Sequence, residues 1–531
     1  MRLRKLRIDG YYNLNKLEMD FDSSSLTTVL LGPNGSGKSY LLEAIAEIFK
    51  AVDLDLPPPN FEFEMTFQID KFEVEIVGTG GEWGLEVNGE TVNRSDFRER
   101  RFELLPDTIF AYYSGENNRL ESIFYRHQHQ YYKNLVNDRF NDQFKSVNIS
   151  DRRLFYARPI HGVLALLALM ASDDDNVSQM LNEMIGITGF HSSMLLLRKP
   201  WFAKGKAAKD SANFWGAAGR PGRAARLAKE HAFFPMQLTE PARDDYRSQN
   251  KSESQFALYI KDKKALQAFA DNFQTDLEFF EELESIDISD LYRWVQVWVT
   301  RDGIMDGDIS YGSLSEGERQ LLMVLGLIRL SRNKRVLFLL DEPDTHLNPR
   351  WQYQYHKLIS EWSSASADRC HILMTTHNPL MVGNLHKEQV RVFSMSEDRT
   401  VSAREPEDDP IVMGIEGLLK SELFGLRSTL SPFVLEKIDR HLVLLAKEKL
   451  DDEEHVELRR LATELNEMGV SLTHPNPYFE AFSKAMAKRQ PKRDITLSAK
   501  EISEQAELVD EILDEILAEE KTKKFAEDNT K

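Results

Sequence analysis

The sequence predicts an α/β fold in which a mixed β lobe is followed by a mostly parallel sheet, with an inserted helical domain and a helical C-terminal region. Three apolar runs predict buried strands of that sheet: Leu26–Leu31, Arg335–Leu340 and His371–Thr375. Helical stretches separate these runs, and such alternation is typical of a parallel sheet covered by helices. A glycine-rich segment joins the first run to an amphipathic helix that begins at Lys38 and extends to about Lys50.

The N-terminal region is predicted to form short strands separated by turns. Apolar and polar residues alternate over Arg2–Ile8 and Lys16–Phe21, which is the pattern of a half-buried strand. The same alternation recurs over Phe61–Ile69, Phe72–Val77 and Trp83–Val87, and turn-forming residues separate these stretches. We therefore expect an antiparallel meander in the first lobe.

Changes of pattern along the chain predict five segments. The buried strand Asp107–Tyr113 closes the first lobe, and the sequence from about Glu116 to Ile286 has a helical, irregular pattern. Strands return with Trp294–Val299, and the chain after about Glu405 is helical again. The predicted segments are an N-terminal lobe over 1–120, a helical insertion over 121–290, a C-terminal lobe over 291–405, a helical region over 406–494 and an acidic tail over 495–531.

Composition restricts the class of protein. The 531 residues carry 67 Lys+Arg against 86 Asp+Glu, a net charge of −19, which argues against a general nucleic-acid coat but allows a local basic surface. A single cysteine, Cys370, excludes a disulfide framework and any cysteine-based zinc site. The longest apolar run, Gly162–Ala171, is far below the roughly 18 residues that span a bilayer. With no apolar leader after Met1, the sequence predicts a cytoplasmic protein without membrane association.

The glycine-rich segment matches the phosphate-binding loop G-x-x-x-x-G-K-S. Residues 32–39 read Gly-Pro-Asn-Gly-Ser-Gly-Lys-Ser between a predicted strand and a predicted helix, which is the context that the motif requires. Backbone N–H groups of such a loop bind phosphates at the positive end of a helix dipole, while a lysine neutralises charge and a hydroxyl binds Mg²⁺. The motif therefore predicts ATP and Mg²⁺ as ligands. The candidate residues are Gly32, Asn34, Gly35, Ser36, Gly37, Lys38 and the metal-binding Ser39.

Two acidic residues follow the apolar strand 336–340. Asp341 and Glu342 would lie at the carboxyl end of this strand, the edge of a parallel sheet where ligands bind. Without other motifs, a pair of acids at a strand end is more often structural. In combination with Lys38, the pair predicts that Asp341 holds Mg²⁺ and that Glu342 polarises the attacking water.

Three further motifs accompany these acids. Residues 314–320 read Leu-Ser-Glu-Gly-Glu-Arg-Gln before an apolar helix, and residues 344–349 read Asp-Thr-His-Leu-Asn-Pro. Residues 375–379 read Thr-Thr-His-Asn-Pro at the end of the next strand. The order of the motifs, within residues 1–120 and Leu291–Arg391, resembles that of ABC-type ATPase heads: Walker A, signature, Walker B, D-loop and switch histidine.

This resemblance implies two heads arranged head to tail, as a homodimer or a higher assembly, around ATP. Ser315 and Gly317 of one chain, at the N-terminus of the signature helix, would complete the γ-phosphate site that Lys38 holds in the other chain. His377 would contact the same γ-phosphate, and Asp344 would belong to the nucleotide site through the D-loop. A lone histidine after a strand is more often structural, and the accompanying motifs are what favour a functional role.

One expected feature of such heads has no clear match. A glutamine near the end of the first lobe would normally sense Mg²⁺ from a second side. Tyr112–Glu116 occupies about that place in this chain. The residue equivalent to that glutamine is therefore unassigned.

The sequence between Lys38 and Ser315 indicates which kind of head this is. It contains neither a membrane segment, as a transporter would require, nor the long a/d heptads of coiled-coil arms. The motifs look most like those of the OLD-like ATPases of bacterial defence systems, which carry a C-terminal nuclease. Here the acidic run Asp451–Glu454 lies in a charged helical stretch, where a solvated helix face is the better interpretation. We therefore expect an ATPase without a nuclease site of its own.

A nuclease-free chain of this kind is similar to the PtuA family, the ATPase subunits of Septu systems and of certain retrons. In that family the partner, PtuB, is an HNH nuclease. The resemblance implies a regulatory ATPase that controls a separate HNH nuclease. A RecF- or SMC-like ATPase of recombination and repair is the alternative function, and a neighbouring HNH or reverse-transcriptase gene would distinguish the two.

The segment Arg198–Lys229 has an unusual composition. It contains nine basic residues against one acid, Asp210, and four aromatic residues lie among them. Positive charge with interleaved aromatic rings is typical of nucleic-acid binding through phosphate pairing and base stacking. We therefore expect contact with nucleic acid here, with a retron's reverse-transcribed DNA as one candidate ligand; a solvated loop is an equally good interpretation.

The tail 495–531 has the pattern of an acidic amphipathic helix. Apolar residues line one face amid seven acidic ones, for which Ile512, Ile516 and Glu511 are examples. Such a helix after a completed domain either packs on its own chain or docks a partner. The sequence favours docking of the nuclease partner here.

Overall fold

The computed structural model describes residues 1–22, 24–137, 152–201, 203–241, 252–301, 303, 309–363, 369–396, 400–447 and 449–468. The chain divides into two compact units. The first unit comprises Met1–Asn384 and Glu388–Arg404, and the second comprises Leu385–Lys387 and the chain from Glu405. In the part of the chain described, no helix combines the length and the apolar character needed to cross a bilayer.

The secondary structure alternates strands and helices through the first unit and is helical in the second. The strands are β1 (Arg2–Asp9), β2 (Leu17–Asp20), β3 (Thr27–Leu31), β4 (Glu62–Ile69), β5 (Phe72–Thr79), β6 (Glu82–Val87), β7 (Glu90–Val92), β8 (Thr108–Tyr113), β9 (Leu154–Tyr156), β10 (Ile187–Arg198), β11 (Met236–Pro241), β12 (Ser252–Ile260), β13 (Tyr292–Arg301), β14 (Ile309–Ser310), β15 (Val336–Asp341), β16 (Cys370–Thr375), β17 (Val390–Met395) and β18 (Val401–Arg404). The helices are α1 (Lys38–Asp53), α2 (Arg94–Leu104), α3 (Arg119–Asn137), α4 (Pro159–Ala171), α5 (Asp175–Ile185), α6 (Gly219–His231), α7 (Lys263–Ala270), α8 (Asp276–Ile288), α9 (Glu316–Leu330), α10 (Pro349–Trp362), α11 (Pro379–Val382), α12 (Pro410–Lys420), α13 (Pro432–Ala446) and α14 (Asp452–Glu467).

A seven-stranded sheet in the order β18-β17-β3-β16-β15-β8-β9 positions the candidate site. All of its neighbouring strands are parallel except β17 and β18. Strands β3, β15 and β16 are buried along their whole length, as expected for the apolar runs that predicted them. The prediction of an α/β fold with a mostly parallel sheet is confirmed.

A second, six-stranded antiparallel sheet in the order β2-β1-β4-β5-β6-β7 forms the mixed β lobe. The meander predicted from the alternating stretches corresponds to β4, β5 and β6. Helix α1 contributes to a core shared by the two sheets, with Leu41, Ile45 and Phe49 fully buried beside Phe67 of one sheet and Leu339 of the other. The helix that follows the glycine-rich loop is therefore held on both sides.

The structure corrects the expected helical insertion over 121–290. This region contains helices α3–α8, but β10, β11 and β12 also lie in it and join β13 and β14 in an antiparallel sheet of order β11-β12-β10-β13-β14. The stretch Trp294–Val299, expected to belong to the C-terminal lobe, is part of β13 and pairs with β10. Apolar runs such as Met194–Leu197 do not distinguish a buried strand from a helix by periodicity. The partner strand decides the conformation, and it is distant in sequence.

The second unit contains α12, α13 and α14 in its described part. Helices α13 and α14 pack on each other through buried Leu444, Leu461 and Leu465. Asp451 caps α14, and its side chain accepts a hydrogen bond from the N–H of Glu454 at 2.7 Å. These acids therefore lie at a helix start rather than at strand ends. The predicted acidic tail 495–531 lies outside the described residues.

Candidate nucleotide-binding site

Four parallel strands end at the same edge of the seven-stranded sheet, and the sequence motifs follow these ends. In the order β3-β16-β15-β8, Thr375 pairs with Leu30 on one side and with Asp341 on the other, and Asp341 pairs with Tyr113. The glycine-rich loop leaves β3, and the two acids stand at the end of β15. Motifs far apart in sequence are therefore neighbours in space.

The glycine-rich loop packs on the segment that follows β1. Gly37, which precedes α1, has φ +100°, and a Cβ there would lie 2.7 Å from Leu14 Cδ2. Asn13 Nδ2 donates a hydrogen bond to Gly35 O at 2.9 Å. Only glycine satisfies both the left-handed backbone and the close approach at position 37. The segment after β1 therefore supports the loop that the motif predicts.

Lys38 lies inside the curve of the loop and is 7% exposed. Its Nζ donates to Gly32 O at 2.7 Å and to Pro33 O at 3.1 Å. Burial lowers the pKa of Lys38, while the nearby charges of Glu342 and Asp341 oppose that shift. The Ser36 hydroxyl is buried and has no hydrogen-bond partner among the described residues. An orphaned hydroxyl and an ammonium bonded only to carbonyls are groups that a phosphate would satisfy.

Asp341 is buried at the end of β15 between two hydroxyl groups. Thr375 Oγ1 donates to Asp341 Oδ1, and the Ser39 side chain also hydrogen-bonds to this carboxylate. Burial raises the pKa of Asp341, and the two hydroxyls and Lys38 act in the opposite direction. A carboxylate and a hydroxyl are oxygen ligands of the kind that Mg²⁺ prefers. Ser39 and Asp341, the two predicted metal ligands, are thus together and fit this ion.

Glu342 follows immediately after Asp341 and is less buried than it. Its φ of +51° is in the left-handed region, which is uncommon for a residue other than glycine and occurs often at functional sites. Its N–H donates to Thr375 Oγ1 at 3.0 Å. Its carboxylate is partly exposed, and His377 Nδ1 lies 3.3 Å from Glu342 Oε1. The two residues expected to act on the γ-phosphate and its water are therefore in contact.

Asp344 occupies a different position from the one its assignment suggested. Its side chain is 3% exposed, and Thr376 Oγ1 lies 3.2 Å and 3.1 Å from its two carboxylate oxygens. Burial raises the pKa of Asp344. The carboxylate is directed into the fold, so direct binding of nucleotide by this side chain has no support in this conformation. Asp344 was expected to belong to the nucleotide site through the D-loop, residues 344–349. That role stays a prediction about the D-loop and does not involve the Asp344 carboxylate.

The signature segment begins helix α9. Ser315 caps this helix: its side chain accepts from the N–H of Glu318 at 3.2 Å, and Glu318 Oε2 accepts from the Ser315 N–H at 2.7 Å. A Cβ on Gly317 would lie 2.6 Å from His346 O, so the D-loop packs against this glycine. In the described parts of the chain, no hydrogen bond joins residues 314–320 to the loop 32–39. Ser315 and Glu316, at the start of this helix, are exposed in the single chain.

Sequence reasoning missed several residues that border the site. Tyr12 is 65% exposed and stacks on Tyr40, with ring centroids 4.5 Å apart and an interplanar angle of 12°. Arg119 lies over the Tyr40 ring at 4.9 Å and pairs with Glu43 at 3.0 Å. The aromatic pair Tyr11–Tyr12 directly after the first strand was visible in the sequence, but its proximity to the loop was not.

The segment Tyr112–Glu116, where a glutamine loop was expected, lines a cleft of about 650 Å³. Glu316 and Arg319 of the signature segment line the same cleft. Ser114 Oγ lies 3.0 Å from Thr345 Oγ1 of the D-loop. No glutamine occupies this segment, so the equivalent of the glutamine loop stays unassigned.

The structure corrects the basis for nucleic-acid contact at Arg198–Lys229. Arg220 is buried and pairs with Glu282 at 2.8 Å and with Glu281 at 3.5 Å, both from α8. Arg223 shares Glu282 at 3.0 Å. Arg226 donates to a backbone carbonyl, and Phe214 and Trp215 are core residues. The exposed basic residues are Lys199, Lys204, Lys206 and Lys209, and contact through them stays a prediction.

A phosphate-binding loop between a central strand and a helix, with an acidic pair on a neighbouring parallel strand and a capped signature helix, defines an ABC-type ATPase head. The chain belongs to the family described as AAA domain, putative AbiEii toxin, Type IV TA system, whose model matches residues 27–383. The expected membership in this broad group of ATPases is confirmed. The family and the phosphate-binding loop therefore both indicate nucleotide binding.

Two curated relatives are both described as Septu protein PtuA. The protein from Bacillus mycoides (strain KBAB4) is 29% identical over 170 residues, which is 32% of this chain and 23% of that protein. The protein from Bacillus thuringiensis is 28% identical over 169 residues, which is 29% of this chain and 40% of that protein. The matches therefore span less than half the length of these relatives.

Solved structures resemble the chain only distantly. The SMC head domain from Thermotoga maritima has a TM-score of 0.33 and 16% identity, and the match covers 77% of this chain and 100% of that one. The recombination mediator protein RecF bound to an ATP analogue has a TM-score of 0.33 and 14% identity, with 76% and 97% covered. The assignment of the fold therefore depends on the strand order of this chain and not on these two structures.

Proposed function

We propose that this chain binds and hydrolyses ATP as the regulatory subunit of a bacterial anti-phage defence complex whose effector is a separate HNH nuclease. The observation that carries the ATPase part is the meeting of Lys38, Asp341, Glu342 and His377 at one sheet edge. The likeness to Septu protein PtuA supports the defence part. The identity of the effector, a separate HNH nuclease, is a distinct part of this proposal and has its own test below.

The chemistry follows from the positions of five side chains and of the phosphate-binding loop. Backbone N–H groups of residues 32–39 and the Lys38 ammonium would bind the β- and γ-phosphates. Ser39 and Asp341 would hold Mg²⁺, which supplies positive charge to the phosphates when bound. Glu342 would accept a hydrogen bond from the attacking water, and His377, in contact with Glu342, would orient that carboxylate and the γ-phosphate.

A second copy of the chain would complete the site. The exposed N-terminus of α9, capped by Ser315, offers backbone N–H groups and the positive end of a helix dipole to an anion. In the described residues this terminus makes no hydrogen bond to the chain's own phosphate-binding loop. Ser315 and Gly317 would therefore complete the γ-phosphate site of a partner chain, in a head-to-tail homodimer or a higher assembly.

The stacked tyrosines give the site a place for the adenine base. Tyr12 is exposed, and the side chain of its neighbour Asn13 donates a hydrogen bond to the phosphate-binding loop. Bases stack on aromatic rings because every base has a π face, and such contacts contribute about 1–3 kcal/mol. We infer that Tyr12 stacks on the base of a nucleotide whose phosphates lie in the loop.

The ATPase test uses the purified chain, Mg²⁺ and ATP, with Lys38→Ala as the control that removes phosphate neutralisation. We expect Mg²⁺-dependent phosphate release that is absent in Lys38→Ala. Equal release by both proteins would indicate a contaminating activity and would contradict the proposal.

The defence part predicts an HNH-nuclease gene beside this one, and it is tested by co-expression of the two genes. We expect the two products to co-purify and cells to resist phage only when both are present with an intact Lys38. Deleting residues 495–531 should remove the nuclease from the purified complex while ATP binding persists. If no HNH or reverse-transcriptase gene adjoins this one and the chain binds DNA ends instead, the RecF- or SMC-like repair function replaces the proposal.

A further inference from the structure

Two buried side chains hold the turn that follows the acidic pair. Gln320 Nε2, on the signature helix, donates to Pro343 O at 2.7 Å. Thr376 Oγ1, at the end of β16, lies 3.1 Å from Asp344 Oδ2. Gln320 is 5% exposed and Thr376 is fully buried. Two consecutive residues of the turn 343–347 are thus held by two different elements.

The same turn is connected to the residue expected to polarise water. Thr345 Oγ1 donates to Glu342 O at 3.0 Å, and the Leu347 N–H donates to Asp344 O at 3.1 Å. On its other side, the carbonyl of His346 fills the space that a Cβ on Gly317 would need. A displacement of the turn would therefore move both Glu342 and the contact with the signature helix.

We propose that Thr376 and Gln320 are positioning residues for ATP hydrolysis, and that they act by fixing the turn 343–347. This inference rests on the proposed ATPase activity. Neither side chain lies in the phosphate-binding loop, so nucleotide affinity does not depend on them. The placement of Glu342, and hence the rate of the hydrolytic step, does.

The hydrogen bond between Thr376 and Asp344 constrains the turn because the Asp344 carboxylate is buried. The Asp344 carboxylate is 3% exposed, the Thr376 hydroxyl lies within hydrogen-bonding distance of both of its oxygens, and the Asn378 side chain also hydrogen-bonds to it. A buried carboxylate that loses one of its donors has to replace it with water or another donor, which requires the turn to move. A misplacement of about 1 Å in a reacting group can reduce a rate by about a hundredfold.

The test compares Thr376→Val, which keeps the shape but removes the donor, with Thr376→Ser, which keeps the hydroxyl. We expect kcat to fall by about tenfold to a hundredfold in Thr376→Val, with KM and the affinity for a non-hydrolysable ATP analogue unchanged. Thr376→Ser should restore most of kcat. Thr27→Val is the matched control, because Thr27 is also fully buried in this sheet but its hydroxyl has no partner in the described structure.

Gln320→Leu tests the second contact without touching β16. We expect the same selective loss of kcat, and in the double variant with Thr376→Val a combined loss smaller than the product of the two, because both act on one turn. If Thr376→Val and Gln320→Leu are folded and their kcat is unchanged, the inference is overturned. The proposed ATPase function is then still supported, because the wild-type chain hydrolyses ATP. A wild-type chain without hydrolysis would instead refute the proposed function itself. Loss of nucleotide affinity together with kcat would show a general structural effect and would also overturn the inference.

Discussion

Nδ1 of His377 lies 3.3 Å from Oε1 of Glu342, at the ends of two neighbouring parallel strands. Glu342 adopts a left-handed backbone conformation directly after β15. Thr375 contributes to the same arrangement, since its hydroxyl accepts from the Glu342 N–H and donates to Asp341. The strand end 375–377 therefore arranges both acids of the acidic pair.

The first prediction concerns Glu342 as the group that activates water. Glu342→Gln keeps the size of the side chain but removes its negative charge, so kcat should fall by about 10²–10⁴-fold while ATP still binds. We further expect the ATP-bound variant to accumulate as a dimer, measured by light scattering with and without ATP. Turnover at the wild-type rate would remove Glu342 from this role.

The second prediction concerns the metal. Asp341→Asn should raise the Mg²⁺ concentration needed for half-maximal ATP hydrolysis by about tenfold or more, because a neutral amide oxygen is a weaker ligand than a carboxylate. The measurement is a Mg²⁺ titration of the steady-state rate. Asp20→Asn, at an exposed position on β2, is the control, and its titration curve should superimpose on that of the wild type. Identical curves for all three proteins would exclude Asp341 as a ligand.

The fold class and the motif positions could be predicted because each motif is a short contiguous run. The sequence next to each motif predicts its position: a strand precedes residues 32–39 and a helix follows them, and an apolar strand precedes Asp341–Glu342. What could not be predicted is which strands are neighbours: β16 lies between β3 and β15, and only this order brings Thr375 to Asp341. The close packing of Gly317 on His346 likewise depends on tertiary structure.

The third prediction tests the aromatic stack. Tyr12→Ala should raise KM for ATP by about fivefold to a hundredfold, the range that corresponds to losing about 1–3 kcal/mol of stacking, with little change in kcat. Tyr12→Phe should restore the wild-type KM, because the ring and not the hydroxyl stacks on Tyr40. The assay is steady-state hydrolysis over a range of ATP concentrations. An unaltered KM in Tyr12→Ala would place the base elsewhere.

The fourth prediction separates two kinds of basic residue within Arg198–Lys229. Replacing Lys204, Lys206 and Lys209 by Glu should weaken binding of single-stranded DNA and reduce its salt slope by up to about three, since each lost phosphate contact removes about one. Arg220→Ala should instead destabilise the fold by about 3–5 kcal/mol, because it removes the ion pair of buried Glu281 and leaves buried Glu282 paired with Arg223 alone. Binding that survives the triple replacement at every salt concentration would assign this segment to the fold alone.

The basic segment also shows why composition was misleading. Within the window the sequence offers one acid, Asp210, whereas the acids that neutralise Arg220 and Arg223 belong to α8. Ion pairs between elements distant in sequence cannot be deduced from a local count of charges. The strands of the expected helical insertion escaped prediction for the same reason, because their pairing partners are remote.

The last prediction concerns the ion pair that joins the phosphate-binding helix to its surroundings. Asp53, the last residue of α1, contacts Arg153 Nε at 2.8 Å and His127 Nε2 at 2.9 Å. Burial alone would raise the pKa of Asp53, but these two partners hold it at about 2. A pKa below the ordinary value of about 3.9 means that the carboxylate stabilises the fold above pH 4 and that this contribution is lost as pH falls towards 2.

Asp53→Asn should therefore lower the free energy of unfolding by about 3–5 kcal/mol at pH 7, because Arg153 loses its buried counter-charge. The difference from wild type should shrink by about 2–3 kcal/mol between pH 5 and pH 2, as the wild-type carboxylate takes up its proton. Urea unfolding at a series of pH values measures both effects, with Asp20→Asn as the exposed control. A difference that stays constant down to pH 2 would contradict the lowered pKa, and a variant as stable as wild type at pH 7 would show that the buried pair contributes nothing to the attachment of α1.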